Sequence, residues 1–281
     1  MDDNRGRAMK TPTKTTLLAV IFFFTIGLGC WGQDTTSNKT SVAAWLGKLR
    51  STEQSIRAEA FEQIQSDPAN LQRPEVRTAL LSLLDRESHE LDAQLLEAQK
   101  KGYPDEGDND DFAEYFSYLL GAVDSFADWN DRRQACILVN ANPSEDSDFA
   151  AKIADHAKVA LPCLIKRCES VISMNRTVSV PVLVQVLAKS KDTLNPKTIQ
   201  AAKRIVLGAL QDSDEGVRAF TVYALGKYGA ADMVPALRKV AESDPSPIVD
   251  GQSIRSMALE AIAKIQKRTS QPLDHEARPQ R

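Results

Sequence analysis

The side chains best suited to chemistry in this 281-residue sequence are few: histidines at 89, 156 and 275, and cysteines at 30, 136, 163 and 168. A thiolate–imidazole pair needs direct hydrogen-bond contact. His156 and Cys163 share a helix face at a spacing of seven, but two turns hold their backbones about 10 Å apart. Cys163 and Cys168 are five apart, so on one helix they point about 140° from each other and cannot bridge without unwinding it. Cys136, Cys163 and Cys168 are therefore expected to be buried free thiols. No histidine stands in a His-Glu-x-x-His or other zinc spacing. Gly-x-Ser-x-Gly elbows, phosphate-binding loops and strand-led Gly-x-Gly-x-x-Gly are missing from the sequence. The acidic run Asp105, Glu106, Asp108, Asp110, Asp111 and Glu114 has the wrong spacing for a calcium loop. With Asp105 first, Asp110 stands where an EF-hand needs glycine and Phe116 where it needs glutamate. No catalytic residue, metal ligand or cofactor is expected.

Composition supports a folded protein without nucleic acid as its partner. The chain is 42% hydrophobic and 26% charged, inside the globular range, and 35 Lys+Arg against 38 Asp+Glu leave a net charge of −3. That balance gives no global basic field to draw in phosphate backbones.

The first thirty residues read as an export address. Arg5, Arg7, Lys10 and Lys14 precede an apolar run from Leu17 to Cys30, the charged and apolar regions of a signal peptide. The run has 14 residues, short of the about 20 that span a bilayer. Gly27, Gly29 and Gly32 supply the small side chains a peptidase needs. Cleavage near 30–33 is expected, with translation starting at Met1 or Met9; an uncleaved anchor is the alternative. Gly27-Leu28-Gly29-Cys30 also resembles a bacterial lipobox, with Gly27 where an aliphatic residue is usual, so contact with the membrane is expected only through the signal or a lipid anchor at Cys30. Without residues 1–30 the chain holds 31 basic and 36 acidic side chains, a net charge of −5.

Beyond a polar linker at 31–41 the periodicity is helical. Between Ser253 and Lys267, Ile254, Met257, Ala258, Ala261, Ile262 and Ile265 form one apolar stripe. Between Glu215 and Tyr228 the stripe is Val217, Phe220, Thr221, Ala224, Leu225 and Tyr228, with Asp212, Ser213 and Asp214 as capping candidates and Gly229 as the stop. The two segments align at a constant offset of 37, Val217-Arg218 on Ile254-Arg255 and Lys227 on Lys264. Each follows another helix, Pro196 to Leu210 and Ala231 to Glu242, so the unit is helix, turn, helix. Phe112, Tyr115, Phe116, Leu119, Val123 and Phe126 form a further helical stripe, expected to be core.

The stretch DSDEGVRAFTVYALGKYGAADMVPALRKV resembles HEAT-like repeats, the helix pairs that stack into α-solenoids. The acidic turn, the aliphatic-Arg pair, Ala-Leu-Gly and Val-Pro-Ala-Leu carry the resemblance, which covers 195–267. Looser copies occur at Ser55-Ile56-Arg57-Ala58, Leu161-Pro162-Cys163-Leu164 and Val180-Pro181-Val182-Leu183. The resemblance implies an all-α, α-α superhelix over 42–268, followed by a disordered polar tail at 269–281. It also implies that Arg218 and Arg255 are structural, reaching acids such as Asp212, Asp214 or Asp244 in exposed pairs worth about 0–1 kcal/mol.

The function expected from this reading is an exported, non-catalytic scaffold for a protein partner. The alternative is an enzyme or regulatory subunit of an envelope enzyme, similar to HEAT-repeat relatives that attach bilins. Lys227 and Lys264 are the candidate partner-binding residues, aligned by stacking into a basic track. Asn38 and Asn175 stand in N-glycosylation patterns.

Overall fold

The computed structural model describes residues 42–102, 110–141, 148–190, 192–247 and 252–270. The export signal, the linker to Ser41, most of the acidic run and the tail from Gln271 lie outside the described residues, as do the side chains of Asp110 and Asp111. Twelve α-helices occur among the described residues, and no strand. They are α1 (Val42–Lys48), α2 (Gln54–Gln65), α3 (Pro74–Lys100), α4 (Asp110–Asp124), α5 (Arg132–Asn140), α6 (Asp148–Asp155), α7 (Ala157–Cys168), α8 (Ser173–Ser190), α9 (Pro196–Ala209), α10 (Glu215–Tyr228), α11 (Val234–Ser243) and α12 (Ile254–Ser270).

The helix boundaries follow from local chemistry. The Asn195 side chain accepts from Thr198 N at 2.9 Å and Pro196 opens α9, where a missing N–H costs nothing. Asp214 accepts from Val217 N at 3.1 Å and caps α10, and Asp131 accepts from Gln134 N at 2.9 Å and caps α5. Gly229 ends α10 in an extended conformation; a Cβ there would collide with the Leu225 carbonyl.

Pairs of helices then stack. The pairs α7/α8, α9/α10 and α11/α12 follow one another, with the second helices α8, α10 and α12 packed side by side. Helix α10, sandwiched between two neighbours, buries Val217, Thr221, Val222, Ala224 and Leu225. Its buried surface is thus wider than one stripe and differs from the expected one: Val222 is inside, whereas Phe220 is on the surface. Helix α12, with a neighbour on one side, keeps the narrower stripe of Ile254, Ala258, Ala261, Ile262 and Ile265, with Met257 half-buried. The architecture is an all-α superhelix of stacked pairs.

The looser copies need correction. Leu161-Pro162 and Val180-Pro181 do not open a first helix as Val234-Pro235 opens α11; Pro162 lies inside α7 and Pro181 inside α8. The Val-Pro dipeptide marks a helix start only where the proline's missing N–H is one of the unbonded first four.

The N-terminal half is organised by α3. Its Glu87 accepts from Arg57 Nε at 2.7 Å, Arg57 Nη2 at 3.0 Å and the Tyr115 hydroxyl at 3.0 Å, and its Glu90 accepts from Arg57 Nη2 at 2.6 Å. Hydrogen bonding to Glu87 raises the Arg57 guanidinium above its ordinary pKa; burial, then the Glu87 charge, push the Tyr115 phenol up. On the other side, Asp92 of α3 accepts from Arg167 of α7 at 3.3 Å and from Asn175 of α8 at 3.0 Å. Gln99 takes the Ser173 N–H at 2.7 Å and donates to Val171 O at 3.1 Å. The aromatic stripe of α4 is core, with Tyr115, Phe116, Leu119 and Val123 buried and Phe61 edge-on to Tyr115.

Candidate partner-binding surface

Each second helix of the C-terminal stack opens with an arginine bonded to the turn before its own helix, and in α8 and α10 that arginine also ties in the turn before the next second helix. Arg218 of α10 donates Nη1 to the carbonyls of Asp212 and Ser213, at 2.7 and 3.3 Å, in the turn before its own helix. Its Nε reaches Asp244 Oδ2 at 2.8 Å, in the turn before α12, and Nη2 reaches Ser246 Oγ at 2.5 Å. One repeat earlier, Arg176 of α8 donates to the Ser170 carbonyl at 2.7 Å and to both oxygens of Asp212 at 2.7 and 2.8 Å. One repeat later, Arg255 of α12 donates to the Asp244 carbonyl at 2.7 Å. Asp212 and Asp244 each serve twice: the carboxylate binds the arginine before, the carbonyl the arginine after. Asp214 takes no part in an arginine contact and caps α10 instead.

Two expectations change here. Arg218 and Asp244 form a buried pair, with side chains 8% and 2% exposed, so the energy scale of an exposed pair does not apply. The carboxylate of Asp212 belongs to Arg176, which the 37-residue offset does not point to because the preceding repeat is 42 residues long, from Arg176 to Arg218. Burial alone would raise both carboxyls. Hydrogen bonds from Arg176 and the Asp214 N–H hold Asp212 below the usual carboxylate range, and those from Arg218 and Ser246 do the same for Asp244.

The face of α10 turned away from the first helices is aromatic. Phe220 is 41% and Tyr223 45% exposed, one helical turn apart. Lys227, a turn further, places Nζ 5.9 Å from the Tyr223 ring and 5.2 Å from the Tyr228 ring. Gly226 allows α12 close: a Cβ there would stand 3.2 Å from Ala261 Cβ, and Lys264 Cδ lies 3.8 Å from the same point. The aliphatic stem of Lys264 thus runs beside the residue next to Lys227. Both lysines are exposed, and Lys264 Nζ stands 3.9 Å from Glu260.

Residues 182–258 and 203–275 match the family model of HEAT repeats. The matched stretch takes in α9 to α12 and the Arg218–Asp244 contact. A search of curated proteins found no match to the chain. Within the matched stretch the second helices expose Phe220, Tyr223, Lys227 and Lys264, while Arg218 is turned inward.

Two of the three cysteines expected to be buried free thiols are arranged differently, and the third, Cys168, is as expected. Cys136 of α5 and Cys163 of α7 form a disulfide, with Cα atoms 5.4 Å apart; α5 packs on α7, a tertiary contact that spacing along one helix does not reveal. Cys168 is a free, buried thiol whose pKa burial pushes up, which makes it inert. His156 stacks on Trp129 and its Nδ1 lies 3.3 Å from Asn130 Oδ1, so it is not paired with a thiol. Asn175 is buried against Asp92 and Arg167, a position no glycan can occupy in the folded chain. Among the described residues no group of three or more His, Cys, Asp or Glu could hold a metal ion, and no helix is long and apolar enough to cross a membrane.

Proposed function

We propose that this protein is an exported scaffold that holds a protein partner on the exposed face of α10 and α12. The observation that carries the reading is the stripe Phe220, Tyr223 and Lys227: two accessible rings in successive turns, bordered by a cation, on a helix otherwise buried by its neighbours. Rings with an apolar body and an accessible edge give contact area at small entropic cost, and Tyr is enriched where interfaces concentrate their energy. Lys227 and Lys264 bias the surface toward an acidic partner. The Cys136–Cys163 disulfide supports export, because such bonds persist in oxidising compartments, and the apolar run at 17–30 is the address that would take the chain there.

The test is capture of partners from envelope extract by the mature chain and by a Lys227→Glu, Lys264→Glu variant, alongside Tyr223→Ala. Loss of the same captured protein in both variants, with helical circular dichroism unchanged, supports the surface. Unchanged capture with intact folding refutes it. Export is tested separately by N-terminal sequencing: a start near residues 30–33 supports cleavage, and recovery of residues 9–29 on the protein overturns it.

A further inference from the structure

Charge is divided unevenly along this chain. Residues 42–155 hold 11 basic and 23 acidic side chains, whereas residues 156–270 hold 17 basic and 10 acidic. Such asymmetry between halves points to a charged surface as partner. Within the basic half the excess gathers on the first helices. Helices α7, α9 and α11 together hold eight Lys and Arg, one acid, Glu242, and no aromatic residue. Arg167 is buried beside Asp92, and Lys203 is bonded to Asp232. The other six, Lys158, Lys166, Lys197, Arg204, Arg238 and Lys239, are exposed, and none of them forms an ion pair among the described residues. They share one surface. Ile165 and Glu169 border a groove with Arg204, and Leu207 borders the next groove with Pro235 and Lys239. The outward faces of the three helices are thus contiguous, on the opposite side of the stack from Phe220 and Tyr223. Apart from Glu242, acids meet this surface only in the turns at the helix ends, and there Asp212 and Asp244 are already held by Arg176 and Arg218.

We infer that the outward face of α7, α9 and α11 binds the surface of an anionic lipid bilayer. Its composition is unlike that of a protein interface, which gathers aromatic residues and Arg and is depleted in Lys. Here four of the six cations are Lys, and the three helices offer no ring. The cations are also spread, not convergent. Lys158 and Lys166 stand about 12 Å apart along α7, and Lys197 and Arg204 about 10 Å apart along α9. A discrete carboxylate cannot serve such a spread, whereas laterally mobile headgroups can bring a phosphate to each cation. Leu207, 37% exposed among them, is an apolar side chain that can enter the headgroup layer. The acidic half of the chain does not cancel this field, because exposed charges more than about 10 Å away are screened at ordinary ionic strength. The inference does not rest on the partner surface of α10 and α12, and the contact is separate from any made through the signal or Cys30.

The test uses the chain from residue 31, which keeps every described helix and lacks the apolar run. It is mixed with vesicles of phosphatidylcholine alone, or of phosphatidylcholine and phosphatidylglycerol in a two-to-one mixture. Co-sedimentation with the anionic vesicles only is expected at about 50 mM salt, and its loss at about 500 mM. Arg204→Glu with Arg238→Glu should weaken partitioning by at least about a hundredfold. Lys227→Glu with Lys264→Glu makes the same change in net charge on the other side of the stack and should weaken it by less than about tenfold. If charge reversal shifts the urea midpoint, Arg204→Gln with Arg238→Gln replaces it, with an expected loss of about 25-fold. Absence of binding, equal binding to the two vesicles, or equal loss in the two charge-reversal variants overturns the inference. Sedimentation velocity and a DNA duplex check the other occupants: a dimer, or duplex binding tighter than vesicle binding, that Arg204→Glu with Arg238→Glu abolishes overturns the choice of lipid. Partner capture reads Lys227 and Tyr223 instead, so its failure and failure of vesicle binding are distinguishable.

Discussion

Replacing Arg218 by methionine keeps the aliphatic stem and removes the guanidinium. The change strips Asp244, whose side chain is 2% exposed, of its cation and removes the donor to the Asp212 and Ser213 carbonyls. Breaking a buried pair by deleting one partner costs about 3–5 kcal/mol. The lower end applies here, because the freed carbonyls lie in a turn and water can reach them. A loss of about 3 kcal/mol lowers the melting temperature by roughly 6–12 °C in an array of this size. Asp244→Asn in the Arg218→Met background should recover part of that loss, since it removes the orphaned charge, so the double variant is less destabilised than the sum of the singles. The effect also has a pH signature. The folded-state carboxyl of Asp244 is depressed, so its contribution is complete above the unfolded carboxylate pKa, about 3.9, and is lost as pH falls through the lower folded value. The stability gap between wild type and Arg218→Met is therefore widest near neutrality and narrows below about pH 4. Urea unfolding followed at 222 nm, at neutral and acid pH, measures both. A cost under about 0.5 kcal/mol, or additivity of the two substitutions, refutes the assignment of Arg218 as a buried tie.

Gly226→Leu should destabilise by about 1–3 kcal/mol through overpacking against Ala261, read as an earlier urea midpoint with the slope unchanged. Removing the Cys136–Cys163 bond by a double serine substitution should cost up to about 3.5 kcal/mol by loop-closure entropy for cysteines 27 residues apart. Intact mass of the exported protein without reductant checks that the bond is present, by its deficit of two hydrogens.

Legibility of the fold tracked how local its causes are. The limits of α10 are readable because Asp214 and Gly229 act within a turn of it, and the stripe of α12 because one neighbour gives one period. Phe220 was misplaced because periodicity records only which residues are apolar, and a helix wedged between two others buries a face that one stripe cannot describe. The ties made by Arg57, Arg167 and Arg176 lie 30 to 83 residues from some of their partners or bridge partners so separated, as with Asn175 and Asp92; an arginine six residues after a turn was the available signal, masked by repeats of unequal length. The Cys136–Cys163 contact joins two helices across a loop, and nothing in either helix's own pattern announces it. The repeat offset puts Lys227 and Lys264 in register, but the periodicity puts Phe220 and Tyr228 on the buried stripe and does not single out Tyr223, the exposed ring beside Lys227.

The reach of α3 limits how freely this solenoid could be cut and rejoined. Solenoids are usually extended or trimmed by whole units, because each unit answers only to the next. Here a single helix of 27 residues, about 40 Å long, answers to Arg57 on one side and to Arg167, Asn175 and Ser173 on the other. Deletion of the first pair would strand Glu87 in the interior, and a fragment beginning at α7 would leave Arg167 without Asp92. The C-terminal units can be duplicated or exchanged in the register of Arg218 and Asp244; the N-terminal half is inherited whole.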